Sequence, residues 1–187
     1  MKVETEDNEL IALFAQANKK NEAFELILRK YQKQTYWHIR RIVIDHDDAD
    51  DILQNTFIKV WENLAKFRED SKLYTWIYRI ATNEALQFLQ KKKQNLNTKF
   101  DDVANELTEK LSAGAYFNGN QIELKLQQAI LTLPEKQRIV FNMKYYDDLK
   151  YEEMQQVLNT SVGALKASYH HAVKKIEEYL KKQLNQS

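Results

Sequence analysis

Arg79, Asn83 and Gln87 stand at i, i+4 and i+8, a spacing that lays a polar stripe along one face of a helix. Around and before them, Lys66, Phe67, Arg68, Tyr74, Trp76 and Tyr78 interleave cations with aromatic rings. Single-stranded nucleic acid is held by such a mixture: bases stack on rings, cations follow the backbone, and amides read exposed base edges. A base drawn from a duplex would sit beneath the connection from Lys66 to Tyr74. The competing reading makes Phe67, Trp76 and Tyr74 core residues. Spacing alone does not separate the two.

A second set lies toward the C-terminus. Tyr151 to Leu158 reads as a short helix, Asn159-Thr160 as a tight turn, and Ser161 as the N-cap of a helix from Val162 to about Leu180. A short helix, a turn and a longer helix make a helix-turn-helix. Burying Val162, Leu165, Tyr169, Ala172, Val173 and Ile176 turns Gly163, Lys166, Ala167, His170, His171 and Lys174 outward. The first half of a recognition helix reaches base edges, while its start, here Ser161, and its lysines reach phosphates. Gly163 and Ala167 are small enough to let the groove come close. An ordinary solvated helix face is the competing reading.

The third surface is the outward side of a helix over Asp48 to Leu64. Ala49, Ile52, Leu53, Thr56, Phe57, Val60, Trp61 and Leu64 form its buried stripe, which leaves Asp48, Asp51, Gln54, Asn55 and Ile58 outside. Taken by itself this is a solvated face, and a single exposed Ile is ordinary.

His46 among aspartates and the pair His170-His171 invite a metal reading. Adjacent helical residues point about 100° apart and chelate one ion poorly, and aspartates at helix starts usually serve as caps. No metal is expected. Nor is a glycine-rich phosphate loop, nucleophile elbow or carboxylate–histidine arrangement present in the sequence, so no enzyme, cofactor or small-molecule substrate is expected.

Three glycines and one proline in 187 residues leave little vocabulary for sheet turns, so the fold class is all-α. The absence of cysteine excludes a disulfide framework and thiolate metal sites. MKVETEDNEL holds no apolar signal core and no apolar run approaches about 18 residues, so a cytoplasmic protein without membrane insertion is expected. A net charge of +1 excludes a polycation that coats DNA unaided.

These surfaces need elements to hold them. The pattern predicts a short helix from Glu9, a turn at Asn18 to Asn21, and a long helix from Glu22 capped by Asn21. Asp45 to Asp48 supply a turn and a cap that suit the next helix's dipole. Trp76, Ile77, Ile80, Ala81, Ala85, Phe88 and Leu89 stripe a helix within Ser71 to Lys93. Residues 94–121 read as a linker, with a short helix at Val103, Leu107 and Leu111 and loop from Ser112 to Asn120. Ile122 to Leu133 is helical, and Pro134 opens the next helix at its first turn, ended by Asp147-Asp148.

The run Asp50-Asp51-Ile52-Leu53-Gln54-Asn55-Thr56-Phe57, then Trp61, Lys66-Phe67-Arg68 and Tyr74 to Asn83, resembles region 2 of bacterial RNA polymerase sigma factors. The similarity is to the sigma-70 family and its extracytoplasmic-function (ECF) group. Leu133-Pro134-Glu135-Lys136-Gln137-Arg138 through Lys175 resembles region 4 of the same group. The resemblance implies two small helical domains, 1–93 and 122–187, joined by the linker 94–121. It implies an alternative sigma factor that joins core RNA polymerase and directs it to promoter DNA.

Under it, Asp48, Asp51, Gln54, Asn55 and Ile58 would dock on the β′ clamp helices. Lys66, Phe67, Arg68, Tyr74, Trp76, Arg79, Asn83 and Gln87 would melt and hold the −10 element. Ser161, Gly163, Lys166, Ala167, His170, His171 and Lys174 would read the −35 element, with the β flap as a further partner of that domain. The linker's Asp101, Asp102, Glu106 and Glu109 would mimic nucleic-acid charge inside the polymerase. An anti-sigma factor is a further expected partner. One departure stands out: the family often carries arginines where this chain has Lys166, Ser168 and His171. Without bidentate arginine contacts the −35 sequence is not predicted. Two rivals remain at this point, a stand-alone helix-turn-helix regulator whose first domain dimerises and a helical adaptor without a DNA role.

Overall fold

A computed structural model describes residues 6–96 and 121–184, and eight α-helices lie among these described residues. They are α1 (Asp7–Phe14), α2 (Lys20–Val43), α3 (His46–Asn63), α4 (Leu73–Leu96), α5 (Gln121–Leu131), α6 (Glu135–Tyr145), α7 (Tyr151–Leu158) and α8 (Val162–Leu184). No strand occurs among the described residues. The chain divides into two compact units, the first formed mainly by residues up to Phe88 and the second mainly by those beyond. The helix expected at Val103, Leu107 and Leu111, the loop Ser112 to Asn120 and the linker's carboxylates lie outside the described residues.

The first unit packs the α3 and α4 stripes read from the sequence against apolar residues of α1 and α2. Leu10, Phe14, Ala23, Ile27, Tyr31, Phe57, Val60, Leu64, Leu73 and Ile77 make its buried cluster. Asp7 ties α1 to α2 by accepting from Lys30 Nζ at 2.9 Å and from the Tyr31 hydroxyl. Two details differ from expectation. Asn21 is no N-cap: a single 3₁₀ turn at Ala17–Lys19 runs straight into α2, so Asn21 already lies in the first helical turn. Helix α2 ends on Ile44 at φ 67°, a left-handed conformation that costs a β-branched residue about 1–3 kcal/mol. Burial of its side chain, 8 % exposed, offsets that strain.

In the second unit Ala129, Ile130, Leu133, Phe141, Ala172 and Ile176 form the core, with Leu126, Tyr146, Tyr169 and Val173 packed against it. Pro134 sits one position earlier than predicted. It is the N-cap, with ψ 142°, and its carbonyl accepts the first helical bond from Arg138 N at 2.9 Å. Helix α6 stops at Tyr145, before Asp147-Asp148, and Asp148 takes φ 48° as the chain turns. Asn159 closes α7 in the left-handed region, which its short amide side chain tolerates.

Candidate nucleic-acid and partner interfaces

Helix α3 begins with a side-chain cap. Asp45 accepts hydrogen bonds from the backbone N–H groups of Asp47 at 3.0 Å and Asp48 at 3.3 Å. The acidic knot is therefore in part structural, and it also favours the positive end of the helix. Beyond the cap, Asp51, Gln54, Asn55 and Ile58 are exposed and Asp48 is half-buried. The Ile58 side chain is 55 % exposed. His46 spends its Nδ1 on the Tyr36 hydroxyl at 2.6 Å and on Asp50 at 3.4 Å.

Beside this face runs a groove that the sequence did not announce. Phe24, Leu28, Leu53, Phe57, Ile58 and Trp61 line it, with a volume of about 470 Å³. Trp61 was expected inside the α3 stripe, yet it stands at the groove's rim, 37 % exposed. Its inner edge is secured by T-shaped contacts with Phe14 at 5.2 Å and Phe24 at 5.0 Å. The helical period gave the ring's inward edge, and the groove leaves its outer edge uncovered.

The connection between α3 and α4 presents Lys66 and Arg68 to solvent. Phe67, Tyr74 and Trp76 are half-buried and pack against the first core cluster. Phe67 leans on Trp76 with ring centroids 5.1 Å apart, and the Lys72 ammonium lies 5.5 Å from the Tyr74 ring centre. These rings are thus core residues in part, and part of each stays accessible. Tyr78 is different. It is buried, stacks on His38 at 4.4 Å, and donates its hydroxyl to the Gln34 carbonyl, so it belongs to the core and offers nothing to a ligand. Along α4 the stripe Arg79, Asn83 and Gln87 is exposed at all three positions.

On α8, Ser161 caps the helix by accepting from Ala164 N at 3.3 Å. Gly163, Lys166, Ala167, His170, His171 and Lys174 are all exposed, while Leu165, Ala172 and Ile176 are buried. A Cβ at Gly163 would meet no atom within 4 Å, so the protein's own packing does not demand glycine there. The His170 and His171 rings lie 6.0 Å apart and tilted by 59°, diverging as neighbours on a helix must.

Sequence reading missed Tyr151 and Lys144. The Lys166 ammonium lies 5.7 Å and that of Lys144 5.9 Å from the Tyr151 ring centre, so cations from α6 and α8 converge at the start of α7. Tyr169 stacks on Phe141 at 5.8 Å, and burial, reinforced by Tyr151 and opposed by Lys144, raises its pKa above the usual tyrosine value.

One unit sets cations beside half-buried rings and the other carries a helix-turn-helix. Known proteins share these two parts. Residues 27–95 match the family described as Sigma-70 region 2, and residues 123–176 match Sigma-70, region 4. The RNA polymerase sigma-H factor of Pseudomonas aeruginosa is 29 % identical across the full length of both chains. The ECF RNA polymerase sigma factor SigW of Bacillus subtilis is 32 % identical, over 87 % of this chain and 89 % of that one. A solved structure of CnrH in complex with the cytosolic domain of CnrY has the same fold. Its TM-score is 0.69 at 21 % identity, over 94 % of this chain and 97 % of that one.

The chain belongs to the sigma-70 family. Within it, it is an alternative sigma factor of the ECF group, which binds core RNA polymerase and directs promoter-specific initiation. The rival readings as a lone regulator or an adaptor fall with that assignment.

Proposed function

We propose a division of this activity among the surfaces described above. The module 1–93 docks through Asp48, Asp51, Gln54, Asn55 and Ile58 on the β′ clamp helices, with the neighbouring groove taking apolar side chains of that partner. Lys66, Phe67, Arg68, Tyr74, Trp76, Arg79, Asn83 and Gln87 hold the melted −10 strand. The module 122–187 places α8 in the −35 major groove through Ser161, Gly163, Lys166, Ala167, His170, His171 and Lys174, and engages the β flap. Segment 94–121 links the two modules.

The observation that carries this reading is the exposure pattern of α4 and its preceding connection. Cations and amides are in solvent, and the three rings between them are anchored yet half-accessible. That combination suits bases that must be stacked without sequence-blind collapse of the rings into the core. The protein acts without catalytic groups of its own, in the cytoplasm, where core polymerase is. An anti-sigma factor holds it between signals. Two solved proteins of this fold are themselves complexes, one with the cytosolic domain of CnrY and one with the anti-sigma factor NepR.

Run-off transcription with purified core polymerase and genomic fragments tests the proposal. Discrete transcripts should require the protein and fade with Asn83→Ala or Lys66→Ala. Separate binding assays should show normal core affinity for both variants. Loss of core affinity instead would move these residues to the polymerase interface.

A further inference from the structure

Trp37, 41 % exposed on α2, is a large ring that none of these surfaces uses. Single exposed apolar residues are ordinary, so its meaning depends on its neighbours. Two contacts fix them. The Tyr78 hydroxyl reaches the Gln34 carbonyl at 3.4 Å, and His38 Nε2 lies 2.8 Å from Thr82 Oγ1. Both pairs are separated by 44 residues, so the contact advances together along α2 and α4, and the two helices run in the same direction.

Parallel right-handed helices that face each other through these positions have two sides. One residue forward on α2 and one residue back on α4 turn about 100° to one side; the reverse steps turn to the other. The first side holds Thr35, Ile39, Ile77 and Ala81, each 0 % exposed, and is the core. The second holds Lys33, Trp37, Arg79 and Asn83, all exposed. Arg41, one turn beyond Trp37, continues the strip with partial exposure. Helices in contact lie about 8–10 Å apart, so the two strips flank a trough about the width of a nucleotide strand.

We propose that Lys33, Trp37 and Arg41 form a second wall of the promoter-strand track whose first wall is Arg79, Asn83 and Gln87, with the Trp37 ring stacking on a nucleobase of the melted strand. This inference rests on the reading of α4 as the −10 surface and extends it to a helix outside that surface. Continuity and charge select the occupant: the six positions carry three cations and no carboxylate, and they run on from the cation-and-amide stripe of α4, which fits a polyanionic strand. The Trp37 ring makes a T-shaped contact with Tyr36 at 5.4 Å and keeps much of its surface open for stacking.

The test uses the full chain with core polymerase and a forked promoter DNA whose −10 non-template strand is single-stranded and carries 2-aminopurine. The promoter is one recovered by the transcription experiment above. Trp37→Ala should weaken fork binding by about tenfold, Trp37→Phe by much less, and Lys33→Glu by several fold in a salt-dependent manner. Affinity for core polymerase and thermal stability should not move, because both side chains are at the surface.

Unchanged fork affinity in Trp37→Ala, beside a wild type that binds and transcribes, would overturn this inference and leave the −10 reading intact. Normal fork affinity with weakened core affinity would make Trp37 part of a protein interface and overturn it as well. A wild-type chain that binds core polymerase but never engages the fork, or responds to no change at Asn83, would overturn the reading of α4 and the inference with it.

Discussion

In the first unit Phe67, Tyr74 and Trp76 lie against the core and at the surface at once, whereas on α8 the outward residues pack against nothing in the core. The difference matches what the proposed roles would ask of each surface. A flipped or unstacked base needs rigid rings, and a ring is made rigid by burying part of it. Duplex DNA presents a preformed groove, so a helix needs only the right outward side chains and a fixed axis. Structure and recognition are therefore entangled in the first unit and separable in the second.

Substituting Trp76 is the largest test of that contrast. Trp76→Ala should cost about 2–3 kcal/mol of stability, less than a fully buried tryptophan because the ring is half-exposed. Promoter opening should fall by about a hundredfold, beyond what the remaining folded fraction explains. Urea denaturation and run-off transcription on the same preparations would show both losses. A loss of stability alone would place the ring wholly in the core.

Lys166→Glu should behave in the opposite way. Affinity for −35 duplex should drop by about tenfold or more, while the unfolding midpoint stays within about 1 °C. A comparable loss of stability would mean that the Tyr151 contact carries structural weight, and the contrast between the units would weaken. Tyr151→Leu sharpens the point: removing the ring that draws in Lys144 and Lys166 should lower duplex affinity by a few fold through misplacement of the cations.

Gly163→Ala should separate the two roles by sign. The new methyl group enters open space and favours helix, adding up to about 0.5 kcal/mol of stability near the helix start. It should nevertheless reduce duplex affinity, if the groove approaches there. Asp148→Gly is the smallest change. Relieving a positive φ at an exposed turn while giving up the Lys144 ion pair should leave stability within about 0.5 kcal/mol of the parent. Calorimetry and a duplex-binding titration would check both variants.

Several features were open to reading from local chemistry. The caps at Asp45 and Ser161, the turn at Asn159 and the bounds of α7 depend on residues within one or two turns of each other. The stripe Arg79, Asn83 and Gln87 and the outward set on α8 follow from the helical period, which assigns each side chain an angle regardless of what surrounds it. Asn21 was displaced because a neighbouring 3₁₀ turn runs into α2, and Pro134 because its extended ψ places it just outside the helix as the cap.

The sequence by itself therefore determined the all-α class, the family, and the direction in which the candidate residues on α3, α4 and α8 point. Tertiary structure alone decided how much of each side chain its neighbours cover. It left Trp61 at the rim of a groove, closed Tyr78 against His38, and half-covered Phe67, Tyr74 and Trp76. It also set α2 parallel to α4, bringing Trp37 beside Asn83 from 46 residues away in the chain. The physical reason is that a helical period fixes an angle about one axis, while coverage depends on where a second axis lies, and only packing places it.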